Sequence, residues 1–155
     1  MLPDLAGLVS ALNAGDVEFV VIGGVAVGAH GHIRATEDLD IVPDPGRDNL
    51  DRLGNVLVGL DARLASDPGR GIDPEVRRSL YQGRNLTVTT RLGDLDVLQR
   101  LPGVPAWNEL ATDAEETSLA DQPVSVSSRA HLIERKRARA SLQDQADLKA
   151  LENGS

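Results

Sequence analysis

The sequence contains no cysteine and, among 155 residues, one Trp, one Tyr and one Phe. Without thiols the chain can make no disulfide, thiolate zinc site or cysteine nucleophile. The scarcity of aromatics leaves Leu, Val, Ile and Ala to build the core. It also removes the platforms on which single-stranded bases stack. No apolar run approaches the ~20 residues of a membrane-spanning helix, so no membrane partner is expected. The opening MLPDLAGLVSAL has no basic segment ahead of its apolar part. It does not read as a secretory signal, and a cytoplasmic location is expected. Basic residues are in deficit, 16 against 24 acidic, for a net charge of −8. Such a surface repels nucleic acid at long range, so a large nucleic-acid partner would need a local basic patch. Arg129 to Arg139 is the one candidate patch.

What is present fits one domain spanning 1–155, with a sheet core over 1–100 and a helical tail over 106–152. Leu5, Leu8, Val9 and Leu12 recur at helical spacing, predicting a helix over 3–14. Phe19, Val20, Val21 and Ile22 are a buried-strand run, ended by Gly23 and Gly24 where the backbone must turn or approach a ligand. A short helix is predicted over 24–30, a strand over 38–42 and a helix over 49–60, with a surface loop over 65–74 and a helical turn over 75–81. Strands are predicted over 85–91 and 94–99, then a helix over 107–114. A short edge strand over 124–126 and helices over 128–140 and 141–151 complete the chain. Strand–helix–strand at the front and helices at the back indicate an α/β or α+β fold with one mixed sheet.

The chemical signal lies in Asp38-Leu39-Asp40-Ile41-Val42. On a strand, alternate side chains share a face, so Asp38 and Asp40 point one way and Leu39 and Ile41 enter the core. Adjacent carboxylates repel unless a cation joins them. Gly93-Asp94-Leu95-Asp96-Val97 repeats the pattern and offers Asp96, or alternatively Asp94, as a third carboxylate. Hard oxygen ligands of this kind suit Mg²⁺, which keeps several waters and shares positions with substrate phosphates. Two such ions can clamp an in-line phosphoryl displacement. A glycine turn feeding a helix adds backbone N–H groups for phosphate. His30 and His32 have no third nitrogen or sulfur ligand nearby in sequence, which argues against zinc there.

Gly23-Gly24 followed by Asp38-Leu39-Asp40 resembles the hG[G/S]…DxD signature of the nucleotidyltransferase fold. GGVAVGAHGHIRATEDLDIV in particular is similar to small bacterial members of the AbiEii/MenT-like toxin group. Those carry an Arg-x-Thr-x-Asp-x-Asp run, matched by Arg34, Thr36, Asp38 and Asp40. Their third carboxylate sits in a Gly-x-Leu-Asp element, matched by Asp96. A later basic helix and Asp-x-x-Asp are matched by Lys136 and by Asp144 with Asp147. The resemblance implies a nucleotidyltransferase fold, with Asp38, Asp40 and Asp96 as catalytic metal ligands for a two-ion Mg²⁺ site. It further implies that Gly23, Gly24, Arg34, Thr36, Lys136 and Asp144 bind the nucleotide, with an NTP as substrate. Two departures stand out: Gly24 replaces a common Ser, and Gln143 stands where a basic residue is common.

The implied activity is transfer of NMP from an NTP to an acceptor hydroxyl with release of pyrophosphate. By this resemblance the acceptor is tRNA and the chain is the toxin of a toxin–antitoxin pair with a cognate antitoxin. Alternatives are a small-molecule acceptor, as in aminoglycoside nucleotidyltransferases, or a partner protein. A reading from another class is a degenerate, non-catalytic nucleotidyltransferase module that acts as a binding partner.

Overall fold

The computed structural model describes residues 3–30, 38–119, 121–139, 149 and 151–152. Its elements run α1 (Leu5–Ala14), β1 (Phe19–Ile22), α2 (Gly23–Ala29), β2 (Asp38–Pro43), α3 (Arg47–Gly59), β3 (Arg63–Leu64) and α4 (Pro74–Tyr81). They continue with β4 (Leu86–Thr90), β5 (Gly93–Val97), α5 (Trp107–Asp113), β6 (Glu115–Leu119), β7 (Gln122–Val126) and α6 (Arg129–Arg139). This is the mixed α+β architecture expected. The helix predicted over 141–151 lies almost wholly outside the described residues.

The seven strands form one sheet in the order β3-β4-β5-β2-β1-β7-β6. β2 pairs with β5 in parallel and β1 with β7 in parallel, while the remaining neighbours are antiparallel. Register follows the hydrophobic pattern. Leu39 lies opposite Leu95 and Ile41 opposite Val97, all fully buried. A slip of one residue would turn Asp38, Asp40, Asp94 and Asp96 into the core, so the apolar pairs fix the register. Leu8 and Leu12 of α1 and Leu53 and Leu57 of α3 complete this core with no exposed surface. Each such leucine contributes about 1.5–3 kcal/mol through burial.

Local chemistry sets the element ends. Asp4 caps α1 by accepting from the Gly7 N–H at 2.8 Å. Asp73 caps α4 by accepting from Val76 N–H at 2.9 Å, with Pro74 at the first helical position. The predicted helical turn over 75–81 is therefore a full two-turn helix. Buried Asn49 uses its whole amide: Oδ1 accepts from Glu18 N–H at 2.7 Å, and Nδ2 donates to the carbonyls of Glu18 and Asp44 at 3.0 and 2.9 Å. That side chain ties the start of β1 to the start of α3.

The strand expected at the edge over 124–126 is β7, and it is interior, between β1 and β6. The edge belongs to β6, Glu-Glu-Thr-Ser-Leu, which has almost no apolar side and so carries no strand signal. It forms a hairpin with β7 through a tight turn at Asp121, held at φ 70. β3 is equally silent in sequence, at two residues.

α6 is held over the sheet partly by the 101–105 connector. Gly103 has φ +76, and a Cβ there would come within 2.8 Å of the Glu134 carbonyl, 2.7 Å of Ala138 Cβ and 3.0 Å of Arg135 Cα. Two of these are backbone atoms that cannot swing away. Gly103→Ala is therefore expected to lose about 1–3 kcal/mol in urea unfolding. Unchanged stability would mean that α6 is not seated on the connector.

Candidate functional site

The site is built where β1 ends, where β2 begins and near the end of β5. Parallel pairing sets Asp40 beside Asp96 and Asp38 beside Asp94. Antiparallel pairing sets Ile22 beside Asp40. Asp38, Asp40 and Asp96 thus meet, with one carboxylate oxygen from each lying within 4.8 Å of the others, and all three residues are half-buried. Asp94 is exposed and stands outside this group, so geometry favours Asp96 of the two candidates.

Gly23 makes the convergence possible. Its φ is +73, and a Cβ on it would lie 2.0 Å from Asp40 Oδ2. An L side chain would be strained there and would collide with the carboxylate, so the glycine serves both the turn and the close approach. Gly24 is placed differently. It is buried and lines a separate apolar hollow with Val25, Gly28, Leu119 and Val126.

Electrostatics follow from the crowding. Burial raises the Asp38 pKa above its ordinary value, and a hydrogen bond and charge from Asp96 add to the rise. Asp40 is pushed up to about 8, first by burial, then by its hydrogen bond with Asp96 and by the charges of Asp38 and Asp96. Its Oδ1 is buried without a hydrogen-bond partner among the described residues. A buried acceptor left in this state costs about 1–3 kcal/mol. A hard divalent cation would satisfy that oxygen and remove the mutual repulsion, so the three carboxylates fit Mg²⁺ by donor chemistry.

Opposite the carboxylates stands α6. A cleft of about 200 Å³ is lined by Ile22, Gly23, Asp40, Asp96, Leu98, Arg135 and Lys136. Lys136 is 2 % exposed, so it faces inward and is no part of a solvated basic face. Arg135, which the sequence reading placed in a surface run, lines the same cleft. The signal for both was helical spacing. Lys136 lies one turn after the buried Leu132, and Arg135 one turn after the buried His131. The stretch 129–139, expected to be an outer docking surface, thus turns two of its cations into the cleft, while Arg137 pairs with Glu152.

Of the other sequence candidates, Arg34, Thr36 and Asp144 lie outside the described residues, as does His32. His30 is engaged structurally: its Nε2 donates to the Ser127 carbonyl at 3.0 Å and lies 3.2 Å from Glu115.

No protein-family profile matches the sequence, and no curated protein does. Solved structures do resemble it. The lincosamide antibiotic adenylyltransferase LnuA, lincomycin-bound, superposes with a TM-score of 0.65 at 16% identity, over 96% of this chain and 94% of that one. ANT(2'')-Ia in complex with adenylyl-2''-tobramycin gives 0.60 at 14% identity, over 96% and 88%. An antigenic nucleotidyltransferase-like protein from Paracoccidioides brasiliensis gives 0.56 at 18% identity, over 94% and 72%. The chain therefore has the nucleotidyltransferase fold. Likeness at these identities extends to the fold alone.

The raised Asp40 pKa has a sign that can be tested on the metal-free protein. The folded state holds a proton at Asp40 up to about pH 8, whereas the unfolded chain releases it near 3.8. That contribution to stability is complete below the unfolded value and is lost as pH rises through the folded one. Between about pH 5 and about pH 8.5, the metal-free melting temperature should fall by several degrees more than that of Asp40→Asn. Mg²⁺ at the higher pH should restore the loss. Identical pH profiles for the two proteins would contradict the crowding described.

Proposed function

We propose that the chain is a Mg²⁺-dependent nucleotidyltransferase that moves NMP from an NTP to a hydroxyl of a small, cationic acceptor. The observation carrying this is the cleft in which Asp38, Asp40 and Asp96 converge against Gly23 with Lys136 buried across from them. Three carboxylates alone would only bind a cation. Opposed by Lys136 and Arg135, they suit a ligand that carries both a cation and several anionic oxygens, as a metal-bound triphosphate does.

Asp38, Asp40 and Asp96 would hold Mg²⁺, whose chemistry when bound is Lewis-acid polarisation of phosphoryl oxygens. Lys136, with Arg135 beside it, binds the triphosphate and offsets charge that builds on it as the reaction proceeds. Gly23 leaves room for phosphate near Asp40 because it has no side chain. Asp96 takes the proton from the acceptor hydroxyl. That oxygen attacks the α-phosphorus in line, the bond from phosphorus to the bridging oxygen breaks, and pyrophosphate leaves. Gly24 keeps the nucleotide-binding role proposed from the sequence through its backbone N–H in the first turn of α2, and it also packs against the apolar hollow beside that helix. Arg34, Thr36 and Asp144 keep the nucleotide-binding roles proposed from the sequence.

Two considerations support a small acceptor over tRNA. The net charge of −8 repels polyanions and attracts cationic small molecules. The basic helix spends Lys136 and Arg135 on the cleft. The fold neighbours fit this choice, one structure holding lincomycin and another an adenylyl-tobramycin. The toxin reading, a partner-protein acceptor and a non-catalytic module are the competing outcomes of one experiment.

Each α-labelled NTP is incubated with Mg²⁺ and, separately, with hydroxylated aminoglycosides and lincosamides, total tRNA, and cell protein. Label should enter a small molecule, and Asp40→Asn should reduce transfer by about 10²-fold or more. Label in tRNA or protein would overturn the acceptor assignment. No transfer and no Mg²⁺-dependent NTP binding would overturn the enzyme.

A further inference from the structure

Away from the carboxylate cleft, a second set of metal-capable side chains joins α5 to α6. Glu109 and Asp113 are one helical turn apart on α5, and His131 lies in the first turn of α6. One ligand atom from each falls within 4.8 Å of the others. The two carboxylates are exposed, whereas His131 is 8 % exposed. Its Nε2 is 2.9 Å from Asp113 Oδ2. Its Nδ1 is buried with no hydrogen-bond partner among the described residues, and the carboxylate of Glu134 is 4.0 Å away.

A simple His–Asp hydrogen bond accounts for only part of this. It satisfies Nε2, leaves Nδ1 orphaned at a cost of about 1–3 kcal/mol, and gives Glu109 no reason to converge. Two carboxylates with no cation between them also repel. Coordination through Nε2 places a cation among Glu109, Asp113 and His131 and fixes the imidazole tautomer. Nδ1 then carries the proton and faces Glu134, the arrangement by which an outer carboxylate orients a ligating imidazole. One imidazole nitrogen with two carboxylates is a donor set for Zn²⁺ or a similar transition ion, with a position left for water. Mg²⁺ prefers oxygen donors throughout.

We propose that Glu109, Asp113 and His131 form a second divalent-metal site, of Zn²⁺ type, that staples α5 to the start of α6. The helix it fixes delivers Arg135 and Lys136 to the cleft one turn further on. The site is independent of the proposed reaction and stands whether or not that reaction occurs.

Equilibrium dialysis against Zn²⁺ alone tests it in full-length protein carrying Asp38→Asn, Asp40→Asn and Asp96→Asn, which removes the competing carboxylate cluster. This protein should still bind one Zn²⁺, undisturbed by excess Mg²⁺. His131→Gln in that background should abolish binding, and Glu109→Gln should weaken it by about tenfold or more. Glu109 is exposed, so its variant decides the matter even if His131→Gln fails to fold. Absence of bound Zn²⁺ in the parent, or affinity unaltered by Glu109→Gln, would overturn the proposal.

Discussion

Three carboxylates held closer than their charges favour are the constraint around which this molecule is arranged. Asp38 and Asp40 alternate with Leu39 and Ile41 on one strand, and Asp96 alternates with Leu95 and Val97 on its parallel neighbour. The apolar residues fix the register, and that register leaves the aspartates no means of separating. Gly23 closes the third side, its bare Cα admitting the Asp40 carboxylate where any other residue would exclude it. The energy of the hydrophobic core is what keeps like charges together, and burial, reinforced by the neighbouring carboxylates, raises the pKa values of Asp38 and Asp40.

The second half of the arrangement is α6, which turns a row of acids into a cleft with two electrical poles. Leu132 anchors the helix in the core, Gly103 allows the preceding connector to lie directly on its backbone, and Arg129 donates to the His30 carbonyl at 3.4 Å. These contacts seat the helix whose Arg135 and Lys136 line the cleft. A lysine so fully removed from water is retained at a cost unless negative charge faces it, and Lys136 lines the cleft together with Asp40 and Asp96.

Much of this was legible in the sequence, and the reasons are specific. β1, β2 and β5 carry strong patterns, so their existence and the shared face of Asp38 and Asp40 followed from alternation. The choice of Asp96 over Asp94 came instead from the family resemblance, and it needed the parallel pairing of β2 with β5 to bring Asp96 to the other two. β6 was not legible because four of its five residues are exposed and it reads as loop. Its absence from the reading moved β7 wrongly to the edge. Arg135 was missed because a run of charges looks like a solvated face unless each is placed relative to the buried His131 and Leu132 one turn earlier. The different surroundings of the two glycines could not be read either, since adjacent glycines give no indication of which one lies against Asp40 and which lines the neighbouring apolar hollow. The Glu109–Asp113–His131 cluster unites residues from two helices with a hairpin between them, and only tertiary packing reveals it.

The claim on which the rest depends is that Asp38, Asp40 and Asp96 form a cation site and are more than a strained acidic patch. Anomalous diffraction from crystals grown with Mn²⁺ and a non-hydrolysable NTP tests it directly. A strong peak is expected within bonding distance of Asp40 and Asp96, with the triphosphate between that peak and Lys136. A cluster without a peak, with Asp40 protonated and hydrogen-bonded to Asp96 while nucleotide is bound elsewhere, would contradict it.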